Sequence, residues 1–229
     1  MREIVMDTET TGLDPNEGHK VVEIGAVELF NHLPTGKTFH QYINPKRPMP
    51  KEAFDIHGLS IDFLKAYPAF KDVAANFLDF IGSSILIIHN ANFDVRFLNF
   101  ELDCIGVEKI QTDRVLDTLK LARKKFPGSP ASLDALSRRF KVDISKREKH
   151  GALLDSQILA EIYLELIGGR QPDLGLISAQ SRNSSNTLKD GVFKRDLPLP
   201  SFLTTSEKEA HDKFVKSLGK NCLWNEDSS

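Results

Sequence analysis

Cysteine is scarce in this 229-residue chain, and its two copies, Cys104 and Cys222, stand far apart with no Cys-x-x-Cys or Cys/His spacing. Neither a disulfide framework nor a zinc site is therefore expected, and each cysteine should pack as a small apolar side chain. Long apolar runs are also lacking. The longest, such as Ile85-Leu86-Ile87-Ile88, fall far short of the roughly 20 residues that cross a bilayer, so no membrane role is expected. The start, Met1-Arg2-Glu3-Ile4-Val5-Met6-Asp7, reaches an acidic residue too soon to hold the apolar core of a signal peptide, which makes a cytoplasmic protein the expectation. A basic surplus is missing as well. The formal net charge is −2, which argues against a protein that grips nucleic acid over a wide surface by charge alone.

What is present is ordinary in amount and informative in pattern. Hydrophobic content of 40% and charged content of 27% belong to a globular chain long enough for one α/β domain and an appendage. A short apolar strand, Ile4-Val5-Met6, ends at Asp7. Further strands are expected around 20–30 and near 37–43. Phe70, Val73, Ala74, Phe77, Leu78 and Ile81 trace a helical stripe. A buried strand over Ile85–Ile88 and a helix over 92–105 follow. Two helical patterns, around 115–126 and 131–140, flank Pro127-Gly128-Ser129-Pro130. A last helix over 153–167 carries Leu154, Ile158, Ile162 and Leu166 at four-residue steps. Strands first and helices interleaved afterwards predict an α/β mixed sheet with helices on its faces.

The periodicity stops near Gly168-Gly169. Residues 1–169 are read as the main domain and 170–205, rich in Ser, Asn, Gly, Asp and Pro, as a flexible linker. Residues 206–229 are read as a tail that docks on a partner. Ser206-Glu207-Lys208-Glu209 reads as a capping box, after which Ala210, Phe214 and Leu218 recur at four-residue steps. About 35 flexible residues span about 33 Å root-mean-square, a tether that supplies a local concentration of order mM.

Acidic residues gather in three distant segments: Asp7-Thr8-Glu9-Thr10-Thr11-Gly12, Asn90-Ala91-Asn92-Phe93-Asp94 and His150-Gly151-Ala152-Leu153-Leu154-Asp155. Asp7 and Glu9 leave an extended segment from the same face, and two carboxylates about 4 Å apart repel by several kcal/mol at an effective dielectric near 20. A cation relieves that repulsion; a solvated strand end is the plainer alternative. Asp94 opens a helix behind the strand at 85–88, where a carboxylate can simply complement the helix dipole, but the end of a central strand is also where open α/β sheets build their sites. His150 and Asp155 are five apart, about 140° around a helix, so His150-Gly151 belongs in the loop before the helix and Asp155 on its first turns. Hard oxygen ligands suit Mg²⁺ or Mn²⁺. Two such ions activate a water and stabilise the leaving oxygen of a phosphodiester, and a neutral imidazole accepts the water's proton.

Together these segments resemble the DEDDh family of 3′→5′ exonucleases: DTETTG, then N-x-x-x-D, then H-x-A-x-x-D, in the family's order. As a whole the chain looks like the family's proofreading members, a likeness that is strong over roughly residues 1–170 and returns at Gly219-Lys220-Asn221-Cys222-Leu223-Trp224. It implies a ribonuclease-H-like fold, with Asp7, Glu9, Asp94 and Asp155 as ligands of two divalent cations and His150 as general base. Pro50–Gly58 also matches, which implies that Glu52 and His57 contact the terminal nucleotide beside Asp7, Glu9 and Asp155. Asp117 fits the pattern as a structural residue. The implied substrate is the single-stranded 3′ end of DNA. The implied partners are the catalytic (alpha) subunit of a bacterial replicative polymerase, held by the tail, and a small theta-like third subunit, which places the protein at the nucleoid. Gln180-Ser181-Arg182-Asn183 lacks the apolar partners of a clamp-binding motif, which speaks against sliding-clamp binding through the linker. A stand-alone DEDDh ribonuclease and a catalytically inert polymerase subunit are the rival readings; the presence of all five site residues counts against the second.

Overall fold

A computed structural model describes residues 1–145, 149–168 and 203–218. The chain divides into two units, Met1–Gly175 and Leu176–Ser229.

The first unit is built on a five-stranded sheet. Strands β1 (Arg2–Thr10), β2 (Val21–Phe30), β3 (Leu33–Tyr42), β4 (Ile85–Ile88) and β5 (Val115–Asp117) lie in the order β3-β2-β1-β4-β5. The β1–β2 and β2–β3 pairs are antiparallel, and β1–β4 and β4–β5 are parallel. Side-chain alternation assigns the two faces. Ile4, Met6, Leu86 and Ile88 point into one core, Val5 and Ile87 into the other.

The first core is closed by helices α3 (Phe70–Ile81) and α4 (Ala91–Cys104), which bury Phe70, Val73, Ala74, Phe77, Phe97, Leu98 and Leu102 against it. Each of the larger of these, the valine, leucine and phenylalanine side chains, contributes about 1.5–3 kcal/mol by leaving water. The opposite face is covered by α7 (Ala152–Leu166) through Leu159, Ala160 and Tyr163. Its Ile158, Ile162 and Leu166 turn away from the sheet toward Ala122 and Leu136, which belong to α5 (Thr118–Lys125) and α6 (Leu133–Phe140). The four-step stripe read from the sequence is therefore the face that meets α5 and α6. A helix buried on two sides carries a second apolar stripe, against the sheet.

Three further differences have local causes. The helical pattern expected over 115–126 begins with β5, because Val115 and Leu116 pair with Leu86 and Ile87; the helix starts only at Thr118, where the Asp117 carboxylate caps it by accepting from Leu119 N at 2.9 Å. Residues 51–57 and 61–64 form two short helices, α1 (Lys51–His57) and α2 (Ile61–Leu64), the second capped by Ser60. Cys104 is not packed away: it ends α4, past the buried stripe of Leu98 and Leu102, and is exposed with a free thiol.

In the second unit, α8 (Thr205–Ser217) is capped by Thr204, two residues before the expected cap at Ser206. Thr204 and Glu207 form the reciprocal box, with Thr204 N donating to Glu207 Oε2 at 2.8 Å and Glu207 N to Thr204 Oγ1 at 3.3 Å. No α8 residue is buried, and Leu203, Phe214 and Leu218 are exposed. Most of the expected linker, the clamp-motif position 180–183, Cys222 and Leu223-Trp224 lie outside the described residues. Among those described, no helix is long and apolar enough to cross a membrane.

Candidate active site

The parallel strands end on the same side of the sheet, and there the acidic residues meet. Asp7 and Glu9 close β1 on the face covered by α7, opposite Gly25 and Glu23 of β2. Asp94 comes from the first turn of α4 and Asp155 from the first turn of α7. With His150 they line one cavity of about 600 Å³, together with Thr8, His89, Asn90, Phe93 and Arg123 among others. All five residues expected at the centre are thus brought together.

Each is held by a different device. Thr8 points to the α4 side of the sheet and grips Asp94: its amide and its hydroxyl both donate to Asp94 Oδ1, at 3.1 and 2.6 Å. Burial pushes the Asp94 carboxyl up to about 7, with the Thr8 hydrogen bonds pulling the other way. Burial also raises Asp7 well above the usual carboxylate range, and repulsion from Asp94, Glu9, Asp155 and Glu23 adds to it. Four carboxylates so enclosed are costly unless a cation joins them.

Asp155 owes its place to a missing side chain. A Cβ on Gly25 would lie 2.1 Å from Leu153 N and 2.2 Å from the Ala152 carbonyl carbon. Only glycine lets the first turn of α7 rest on β2. Ser156 Oγ, 2.9 Å from the Gly25 carbonyl oxygen, fastens that contact. His150 precedes the helix in a loop, as its spacing from Asp155 predicts, with Nδ1 3.1 Å from Asp155 Oδ2. The loop leans on α1. His150 N donates to the Ile56 carbonyl at 3.3 Å, and the Lys149 ammonium lies 5.0 Å from the centre of the Phe54 ring.

Glu9, His150 and Asp155 each offer a ligand atom within 4.8 Å of the others. The carboxylate oxygens of Glu9 and Asp155, beside those of Asp7 and Asp94, fit a hard divalent cation, and the imidazole of His150 stands at its edge. Glu52 and His57 do not reach this cavity. They line a neighbouring one of about 460 Å³, whose wall shares Thr8, Glu9 and Phe93 with the first. His57 is buried, which lowers its basicity, and its Nδ1 accepts from Leu59 N at 3.0 Å, so the ring is neutral with its proton on Nε2.

Sequence reasoning missed the supporting residues. Besides Thr8 and Gly25, these are Glu23, buried and 2.7 Å from His40 Nε2, and His89, whose Nδ1 lies 3.0 Å from Thr118 Oγ1. The alternation of β1 could have flagged Thr8, a polar residue that lies between Asp7 and Glu9 and points to the α4 side, in line with Ile4 and Met6. Nothing in a single sequence marks Gly25. Asp117 has the structural role expected of it: beyond capping α5, it accepts from Asn90 N at 3.2 Å and so ties β5 to the turn before α4.

Residues 4–163 match the RNase_T family, described as exonucleases. The chain is 56% identical over 226 residues to the DNA polymerase III subunit epsilon of Rickettsia conorii, covering 96% of this chain and 97% of that one. Among solved structures it is similar to exonuclease X in complex with 5′-overhanging duplex DNA (26% identity, TM-score 0.59, 72% of this chain and 90% of that one). It also shares the fold of the nuclease domain of 3′hExo, a DEDDh family member bound to rAMP (21% identity, TM-score 0.63, 72% and 91%). The helix-flanked mixed sheet is accordingly the ribonuclease-H-like fold of these nucleases.

Proposed function

This chain belongs to the RNase_T exonuclease family and, within it, to the DNA polymerase III epsilon subunits, and from that premise we propose that it is a proofreading 3′→5′ exonuclease that removes mispaired 3′-terminal deoxynucleotides as 5′-monophosphates. The observation that carries this reading is the convergence of Asp7, Glu9, Asp94, Asp155 and His150 on one cavity. The four carboxylates would hold two divalent cations, Mg²⁺ or Mn²⁺, which when bound would supply activation of the attacking water and stabilisation of the departing 3′ oxygen.

The residues divide the remaining work. Thr8 fixes Asp94 in one rotamer, and Gly25 lets Asp155 approach from the far side. With His150 Nδ1–H donated to Asp155 Oδ2, Nε2 keeps its lone pair and takes the proton of the water. The adjoining cavity, with Glu52 and His57, receives the terminal nucleotide. Phe93, which lines both cavities, offers its ring beside the base or sugar. An unpaired end frays at less cost than a matched one, which favours mismatches.

The appendage then has a use. Residues 170–205 form a tether and 206–229 the docking tail, which places Phe214 and Leu218 of α8 on the polymerase catalytic (alpha) subunit. A theta-like third subunit completes the assembly, in the cytoplasm at the replicating nucleoid. Digestion of matched and mispaired primer ends, on DNA and on RNA of equal length, tests the reading. It requires faster release from mispaired DNA, addition of the polymerase notwithstanding. Equal rates on matched and mispaired ends, or a preference for RNA, would contradict it. Deleting residues 206–229 should leave hydrolysis of free single strands intact while abolishing co-purification with the polymerase; retained association refutes the docking role.

A further inference from the structure

The net charge of the chain conceals a strongly cationic segment. Residues 118–141 hold Lys120, Arg123, Lys124, Lys125, Arg138, Arg139 and Lys141 against a single acid, Asp134, a surplus of six in a chain whose total is −2. All seven cations are exposed. Two also serve the fold: Lys125 Nζ donates to the Leu166 carbonyl at 2.9 Å, and the Arg139 guanidinium stacks 4.3 Å from the centre of the Phe126 ring. Arg123, Lys124 and Arg138 make no ion pair among the described residues, so their charge is available.

The place of this segment is as telling as its sign. Arg123, Ser132 and Leu133 line the acidic cavity, and Arg138 and Arg139 line the hollow beside Pro130 and Ala135. Helix α6 runs from the first group to the second. Its eight residues cover ~12 Å, the axial rise of three to four stacked nucleotides of one strand. Two divalent cations would only balance the four carboxylates, so the cavity has no surplus positive charge for the upstream phosphates, which need cations just outside it.

We infer that the α5–α6 face is the track for the phosphate backbone of the DNA strand whose 3′ end lies in the acidic cavity. Lys124 and Arg138 contact phosphates upstream of the scissile bond. The partner is a nucleic-acid strand rather than an acidic protein, because Arg123 lines the acidic cavity itself and Arg138 lines the hollow at the far end of α6. This inference rests on the nuclease reading above and adds where the rest of the strand runs.

The test compares the full chain with Lys124→Gln/Arg138→Gln, using a control pair on another surface, Lys46→Gln/Lys71→Gln. With Mn²⁺, each protein hydrolyses the p-nitrophenyl ester of thymidine 5′-monophosphate, which has no upstream phosphates, and a single-stranded 20-mer. The α5–α6 pair should match the wild type on the small ester within about twofold and keep its melting temperature. On the 20-mer its KM should rise about tenfold. The slope of log(kcat/KM) against log[salt] should become shallower by about 1.4, or ~0.7 for each lost phosphate contact. The control pair should change neither. An unaltered KM and salt slope, or equal losses in the control pair, would overturn the track. Failure of the wild type itself on both substrates would instead overturn the nuclease reading.

Discussion

Asp94 and His150 face the same cavity and are held by opposite means. Asp94 is 2% exposed, anchored in the first turn of α4 and gripped twice by Thr8. The His150 side chain is 48% exposed and stands on a loop whose ties include one 3.3 Å backbone hydrogen bond to α1, the Lys149–Phe54 stack and the contact with Asp155. The contrast separates two tasks. Cation ligands must be in position before substrate arrives, because four enclosed carboxylates cannot afterwards reorganise cheaply. A group that moves a proton has to meet a water that comes and goes, and a loop with room suits it.

The largest effect should follow from emptying the rigid part. Asp7→Ala should lower nucleotide release by more than about a thousandfold, the scale on which a lost charge-stabilising group is felt. Near-wild-type release by this variant in Mg²⁺ would place the chemistry elsewhere. His150→Ala should cost about 10²–10⁴-fold in kcat while leaving Mn²⁺ affinity within a few-fold, as titration calorimetry would record. A joint collapse of kcat and metal affinity would erase the distinction between ligands and base.

Gly25→Ala probes the seat of α7 without touching a charge. The new methyl meets backbone at 2.1 Å, so the helix must shift, with a stability loss of about 1–3 kcal/mol and a fall in activity that exceeds it. A variant as stable and active as the wild type would mean that Asp155 does not depend on that contact.

The smallest effect concerns pH in the metal-free protein. Because Asp94 is raised to about 7 in the folded state from an ordinary value of 3.8, the folded protein binds more protons than the unfolded chain between those values. Asp94 therefore takes stability away as pH rises through that window. Asp94→Asn should flatten this decline in a melting-temperature profile from pH 4.5 to 7.5, and Mg²⁺ should do the same for the wild type. A steeper decline in the variant would contradict the sign.

Much of this was legible in the chain because the site residues sit where local rules operate. Asp7 and Glu9 share a face through the two-residue period of a strand. Asp94 and Asp155 open helices whose apolar stripes can be read, and His150-Gly151 falls in the loop that the geometry requires. The misses share a different property. β5 is three residues long and owes its form to pairing with β4, against its own helical pattern. The sheet-facing stripe of α7 was hidden by the equally apolar stripe toward α5 and α6. Thr8 and Gly25 act on residues 86 and more than 120 positions away, and a single sequence carries no mark of such contacts.

Binding of Mn²⁺ in the presence of thymidine 5′-monophosphate, followed by calorimetry, addresses the convergence of the four carboxylates most directly. Two ions per chain in the wild type, with binding weakened in each of Asp7→Asn, Glu9→Gln, Asp94→Asn and Asp155→Asn, is the expected result. Two ions bound with unchanged affinity in any one of these variants would remove that residue from the centre, and unchanged binding in all four would contradict the account.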